Sequence, residues 1–302
     1  GPCPCSSQED QPGGHDADTR LANSVVLMPM GQPPLPPPYD PPLQPALLHE
    51  GPTAEVVVFP DPRPECMGDI AGVIGFYYPG HEEVWDTLCG SSFCGNFFDL
   101  APGGLELEAR KYPGRRQRFR NAEAAFQALK FWKLADEFAD LSGSEAFRKK
   151  KELAGREDFT YAGFGSNWCG MWAVLQAKFR PDSAMASALL GTNDSFLLEH
   201  NSTAGRDKVW SDNCDGEGTN WLGMQLMLLR DKLSGRRAWT TFLMEFIDPN
   251  TGSPLDATGK RLWQAAVRSA CQALVAAVNA QAPAVPDGRL RTDAAQTPRG
   301  KL

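Results

Sequence analysis

No stretch of this 302-residue chain approaches the roughly 20 consecutive apolar residues that a membrane-crossing helix needs, which argues against a helical membrane protein. The eight cysteines (Cys3, Cys5, Cys66, Cys89, Cys94, Cys169, Cys214 and Cys271) include no CxxC pair, and no histidine stands at zinc-finger spacing from them. Neither a disulfide framework nor a metal site is therefore expected, and the pattern fits a reduced intracellular setting, cytoplasmic or nuclear. The Gly1-Pro2 opening does not read as a secretory signal. G-x-S-x-G, Walker A and strand-borne G-x-G-x-x-G strings are all absent, which removes the commonest hydrolase, P-loop and dinucleotide signatures. Net positive charge is lacking as well. With 37 acidic against 30 basic residues the chain carries −7, so global charge does not hold it on nucleic acid.

What is present is unevenly distributed. Sixteen of the 25 prolines precede Met67, in a segment rich in Gly, Ser and Asp with little periodicity. Residues 1–68 accordingly read as a disordered, Pro-rich arm, and residues 282–302 as a disordered tail. The string Pro36-Pro-Pro-Tyr39 has the PPxY form that fits the aromatic groove of WW modules, a candidate partner site. Val56-Val-Val-Phe59 is β-prone but is ended by Pro60, Pro62 and Pro64. The folded body is expected over 69–281.

Within it, Ala71 to Tyr78 reads as a buried strand, and Leu105 to Ala109 and Gln117 to Arg120 as an antiparallel hairpin about Tyr112-Pro-Gly114. Asn121 is placed to cap a helix running to about Phe138. Further helices are expected over Ser144–Ala154, over Trp168–Phe179 before Pro181, from Asp182 as cap to Leu190, over Thr219–Leu233 and over Lys260–Asn279. Phe196 to His200 reads as a short strand and Trp239 to Phe246 as extended. The fold class is α+β, mostly α-helical, with a small antiparallel sheet.

Chemistry-bearing residues concentrate in two places. In Asn121-Ala-Glu-Ala-Ala-Phe-Gln-Ala-Leu-Lys-Phe131, Glu123, Gln127 and Lys130 stand at i, i+4 and i+7 in an otherwise apolar helix. They share one polar stripe, either a solvated face or the floor of a pocket. Basic residues crowd beside it, Arg110 to Arg120 before and Arg148-Lys-Lys-Lys151 after, which suits a phosphate-bearing ligand or a plain solvated surface. The second place is the polar loop 206–223, where Trp210 can stack on a planar ring and Asp212 can serve as a base. His200 reads as a satisfied strand-end histidine, and the Trp168 to Phe179 stripe reads as core.

The order of these strings resembles the NADAR or YbiA-like family of N-glycosidases over about 74–233. The shared strings are Phe76-Tyr77, Asn96-Phe97, Glu123-Ala-Ala-Phe-Gln-Ala-Leu-Lys-Phe131, Gly155-Arg156, Val174-Leu-Gln-Ala-Lys-Phe179, Leu197-Leu-Glu-His200, Trp210-Ser-Asp212 and Asn220-Trp-Leu-Gly223 with its continuation to Arg230. The resemblance implies one catalytic domain, with a helical extension over 234–281 that the small bacterial form lacks. It implies hydrolysis of a ribose C1–N bond without metal or cofactor, on ADP-ribose attached to guanine of a nucleoside or nucleic acid or on phosphoribosylated riboflavin intermediates. The implied catalytic set is Glu123 for the proton, Asp212 as second carboxylate and Lys130 as Schiff-base former. Ligand binding falls to Phe76, Tyr77, Asn96, Phe97, Arg118, Arg120, Gln127, Gly155, Arg156, Trp168, Trp210, Asn220 and Gly223. One position departs from the family: the residue after the catalytic Glu is usually His and is Ala124 here. The other reading of the chain is a catalytically silent ADP-ribose-binding module.

Overall fold

The computed structural model describes residues 65–66 and 71–281. The Pro-rich arm with Pro36–Tyr39, the β-prone Val56–Phe59 and the tail over 282–302 lie outside the described residues. The strand β2 (Ala71–Phe76) pairs on one side with the two-residue β1 (Glu65–Cys66), antiparallel, and on the other with β5 (Phe196–Glu199), parallel, with Phe76 opposite Glu199. Every residue of β5 is buried, as its Phe-Leu-Leu run demands, so the glutamate that ends it is buried too. The expected hairpin forms from β3 (Leu105–Glu108) and β4 (Arg116–Phe119), antiparallel, with Leu105 opposite Phe119. The sheets are thus small, antiparallel except at the β2–β5 pair, and helices dominate, as an α+β class requires.

The helices are α1 (Val84–Cys89), α2 (Ala122–Ala128), α3 (Gly143–Glu152), α4 (Asn167–Lys178), α5 (Ala184–Gly191), α6 (Trp221–Ser234), α7 (Ala238–Leu243) and α8 (Ala257–Gln281). Short hydroxyl or amide side chains begin several of them: Asn121, Ser142, Ser166 and Ser183 each accept a main-chain N–H from the first turn. Ser183, not Asp182, therefore caps α5. The helix α2 is shorter than its apolar pattern predicts. Lys130 N and Phe131 N bond three residues back, to Gln127 O and Ala128 O, and Phe131 leaves helical geometry at φ −139°. Phe131 stacks on Phe138 and Trp132 packs on Phe119, so burial of two consecutive aromatic rings turns the chain out of the helix. A 3₁₀ segment over Trp132–Phe138 follows.

The expected extended piece at Trp239 is instead α7. Trp239 and Leu243 are one helical turn apart and both buried, with the Trp239 ring edge-on to Phe196 and its Nε1 donating to Asp194 O. Packing of an i, i+4 pair outweighs the β-propensity of Trp and Thr. The remaining segment pairs β6 (Ile247–Asp248) with β7 (Ser253–Pro254), and α8 then packs back on β2 and β5.

The first turn of α6 lies against β5 with no room for a side chain at Gly223, where a Cβ would collide with Leu197 O and the Asn220 amide. Arg230 further along donates to Thr192 Oγ1 (2.7 Å) and Ser195 O (2.8 Å), fastening the same helix to the start of β5. Gly223→Ala is expected to cost about 1–3 kcal/mol of stability by overpacking this contact. Gly114→Ala, at φ 79° with open space around it, should cost about 1 kcal/mol through backbone strain alone. Urea unfolding of both variants checks the order, and a Gly223→Ala protein as stable as wild type would show that the α6–β5 contact relaxes freely.

Candidate active site

Capping by Asn121 fixes where α2 starts and so which side chains share a face; Ala124 N donates to Asn121 Oδ1 at 2.8 Å. Glu123 and Gln127 then point the same way and are both buried. Gln127 bridges its neighbours. Its Nε2 donates to Glu123 Oε1 (2.8 Å), and its Oε1 accepts from Lys130 Nζ (2.7 Å). Because the helix tightens at Lys130, that side chain is delivered over the Phe126 ring, 4.9 Å from its centroid, and 5.7 Å from that of Tyr161. Phe126 and Tyr161 stack on each other, and Trp210 stands edge-on to Phe126 at 5.4 Å.

Burial raises the Glu123 carboxyl above the ordinary carboxylate range, against the hydrogen bond from Gln127 and the charges of Lys130 and Lys150, which lower it. The same burial lowers Lys130 to about 8, with the Lys150 charge adding to the effect and Glu123 opposing it. A carboxyl held up and an amine held down are thus joined through one amide, the kind of perturbed pair that can exchange protons near neutral pH.

A third ionisable group enters from β5. The Glu199 side chain is buried, its Oε2 has no hydrogen-bond partner, and its carboxyl is raised well above the usual value. Burial is the main cause, followed by the charges of Asp207, Glu123, Asp212 and Asp86. The Glu123 charge thus reaches Glu199. Its main chain is gripped from both sides: Asn220 Oδ1 accepts Glu199 N, and Asp212 N donates to Glu199 O, each at 2.9 Å. Asp207 closes the loop above, its Oδ1 accepting Val209 N and Trp210 N. Arg206 lies 5.6 Å from the Tyr77 ring centroid, and burial drives the Tyr77 hydroxyl up to about 12 against that positive charge.

Several expected site residues sit elsewhere in the design. Asp212 is not an open second carboxylate. It is fully buried, with Oδ2 2.7 Å from His200 Nδ1 and Oδ1 accepting Cys214 N, so both its oxygens are engaged. His200 is satisfied, as a strand-end histidine should be. Asn220 and Gly223 hold β5 against α6. Phe76 is core, and Trp168 is buried with Nε1 on Pro249 O, which leaves it no face for a ligand. Phe97 packs against Gly143. The arginines of the hairpin are already paired: Arg120 with Asp99, and Arg116 with Glu106 and Glu108, while Arg118 donates to Pro102 O. Gly155, at φ 85°, turns α3 into the loop whose Asp158 N bonds Lys130 O, and Arg156 is exposed at that turn. Asn96 does reach the helix: its O accepts Glu123 N at 2.9 Å, and its buried Oδ1 has no partner. Ala124 is wholly buried, part of the core rather than of a polar face.

Sequence reasoning missed Glu199, Asp207 and Lys178 as parts of the site. The first had a signal in the sequence, a carboxylate inside an otherwise apolar strand. Lys178 Nζ is buried and donates to Gly95 O (2.8 Å), which supports the Asn96 turn; burial lowers this amine to about 7, opposed by the charges of Cys94 and Glu199.

No family model matches the chain. A riboflavin biosynthesis protein of Vibrio vulnificus is 36% identical over 75 residues, 25% of this chain and 19% of that protein. N-glycosidase YbiA of Shigella boydii is 38% identical over 64 residues, 21% of this chain and 38% of that protein. The chain thus spans less than two fifths of the length of these curated relatives. The solution structure of YbiA from E. coli is 25% identical, with a TM-score of 0.39 over 54% of this chain and 84% of that one. The sequence likeness is thus confined to short segments of the chain and of each curated relative. In particular, the matched segments are similar to N-glycosidase YbiA and to a riboflavin biosynthesis protein.

The Lys130 amine provides a direct check on the site. Below about 8 it is protonated and above it neutral, so the unfolded chain binds the extra proton between about 8 and the ordinary 10.5, and this group's contribution to stability rises with pH across that window. NMR of the reductively methylated protein should show the Lys130 resonance titrating near 8, apart from the surface lysines and from Lys178 near 7. Glu123→Gln should lower that value further, because the Glu123 charge raises it. A Lys130 resonance titrating with the surface lysines would refute the buried relay.

Proposed function

We propose that this chain is an N-glycosidase that hydrolyses the bond between ribose C1 and an amine nitrogen. The observation that carries the reading is the buried relay Lys130–Gln127–Glu123, whose Glu123 charge reaches a Glu199 carboxyl with one oxygen unpaired. An amine near neutrality can attack C1, and two coupled carboxyls can manage the proton inventory. Lys130 Nζ adds to C1 as the C1–N bond breaks, and Glu199 delivers a proton to the leaving nitrogen. The ribose ring opens, its oxygen taking a proton, to give an imine on Lys130. Glu123 then activates water for addition to that carbon, which releases the sugar and restores the amine. The net change is one water consumed, one sugar and one amine released.

The finer reading is removal of ADP-ribose from a guanine base. Trp210, with Phe126 and Tyr161 beside it, suits a stacked base. The positive charge for phosphates comes from Lys150, whose field reaches Glu123 and Lys130, and from Arg206, rather than from the hairpin arginines. Asp212, Asn220 and Gly223 act as positioning residues for Glu199. A second reading, cleavage of a phosphoribosylated riboflavin intermediate, is favoured by the name of the Vibrio relative.

Incubation with ADP-ribosylated guanosine oligonucleotide and with the riboflavin intermediate, followed by detection of released base or amine, tests both readings. Glu123→Gln and Glu199→Gln should each lower kcat/KM by about 10²–10⁴-fold, the usual worth of a positioned general acid or base. Activity should rise as pH passes about 8 and Lys130 deprotonates. Borohydride added during turnover should leave a sugar adduct on Lys130. ADP-ribose binding without turnover of either substrate would favour a silent module, and turnover without an adduct would reject the imine while leaving hydrolysis.

A further inference from the structure

One residue beyond Glu199, three buried side chains of different chemistry meet: His200 from the end of β5, Asp212 from the loop before α6, and Cys271 from α8. His200 Nδ1 lies 2.7 Å from Asp212 Oδ2 and 4.0 Å from Cys271 Sγ, and one donor atom from each of the three falls within 4.8 Å of the others. A hydrogen bond accounts for the His–Asp pair. The Cys271 thiol joins the same pair through longer sulfur contacts, with Sγ 3.6 Å from Cys214 O and 4.0 Å from His200 Nδ1 and the Asp212 carboxylate facing it.

The face of α8 that carries Cys271 is held to the loop by several separate contacts. Trp263 Nε1 donates to Thr219 O at 2.8 Å, and Gln264 Nε2 donates to Gly216 O and Gly218 O. Arg268 forks onto both oxygens of Glu217. Gly216 has no Cβ to hold apart the Arg268 main chain and Cys271, which it approaches closely. Trp85 seals the histidine ring edge-on at 4.5 Å. The three donors are therefore set in place by contacts independent of one another, the arrangement that a preorganised ligand set requires.

We propose that His200, Asp212 and Cys271 form a buried site for a borderline-soft divalent cation of the zinc type, bound through imidazole Nδ1, a carboxylate oxygen and a thiolate, with water in the fourth position. Nitrogen, oxygen and sulfur donors within 4.8 Å of one another match the ligand preferences of zinc, whereas magnesium and calcium take oxygen. The cation replaces the thiol proton, which passes to solvent, and the Nδ1 proton shared with Asp212, as the neutral imidazole shifts to its Nε2–H tautomer. Without it, burial and the Asp212 charge hold the Cys271 thiol far above its ordinary value; with it, the positive charge makes the thiolate the stable form. The bound metal ties α8 to the end of β5, and so braces the backbone that presents Glu199. The inference does not depend on the proposed N-glycosidase reaction.

The test uses the full chain carrying Cys3→Ser, Cys5→Ser and Cys66→Ser, stripped with EDTA and dialysed against zinc or cobalt(II). One zinc per chain is expected by elemental analysis. The cobalt form should show a sulfur-to-metal charge-transfer band that is lost in Cys271→Ala and kept in Cys169→Ala. Zinc at about 100-fold above its Kd should raise Tm by about 5–8 °C, and not in Cys271→Ala. Matching Tm values of Cys271→Ala and its parent in EDTA would separate loss of a ligand from loss of the fold. A parent chain that holds no zinc, a cobalt spectrum without a sulfur band, or undiminished zinc binding by Cys271→Ala overturns the proposal. The cobalt spectrum of the parent decides for or against thiolate ligation even if Cys271→Ala does not fold.

Discussion

The end of β5 is buried on all sides, so its main-chain groups have to find partners inside the protein. Asn220 and Asp212 supply them, one accepting the Glu199 N–H and the other donating to its carbonyl. Each of those residues is in turn fixed: Asn220 by a donor bond to Leu197 O, Asp212 by His200 and Cys214. The loop between β5 and α6, the first turn of α6 and the contact face of α8 all serve this clamp. Its product is a buried glutamate carboxyl with one oxygen unpaired. Loosening the clamp would let that carboxyl rotate toward water, which is where an unpaired ionisable group is most stable.

The second consequence is electrostatic. Glu123, Lys130, Lys178 and Glu199 have all left bulk water to different degrees, and burial moves each toward its neutral form. Their mutual fields temper that shift where signs oppose and strengthen it where signs agree. Lys130 is pulled toward neutrality by burial and by Lys150 while Glu123 resists, which leaves it near the pH at which both forms are populated. Glu199, surrounded by other carboxylates, has its shift reinforced. A solvated polar stripe on α2 would show none of this, because exposed groups are screened.

Much of the architecture is legible from periodicity and punctuation. The hairpin, the cap at Asn121, the helices from Ser144 and Trp168 and the strand at Phe196 all follow from local signals that packing reinforces. Two departures share one cause. The helix at Glu123 is shorter than its pattern predicts, and the segment at Trp239 is helical where propensity predicts extension. In both, aromatic rings take whichever backbone buries them, a choice made by partners distant in sequence such as Phe119 and Phe196. The hairpin arginines have the density of an anion site in sequence, but in the fold Arg116 is paired across the hairpin with Glu106 and Glu108, and Arg120 with Asp99, a partner that hairpin register does not supply.

For the site, the sequence by itself determined that Glu123, Gln127 and Lys130 share a helical face, because a period of 3.6 residues is a local property. It also determined, through the order of its motifs, which kind of protein the chain resembles. Only the tertiary structure decided what the motif residues do. The Trp-x-Asp and Asn-x-Leu-Gly strings hold β5 in place, with Asp212 engaged by His200 rather than open to a substrate. The buried carboxyl of Glu199 comes from a strand that the parallel pairing with β2 carries toward α2. The meeting of residues 200, 212 and 271 is likewise invisible in sequence, since side chains that far apart along the chain are brought together only when helix and strand faces bury each other.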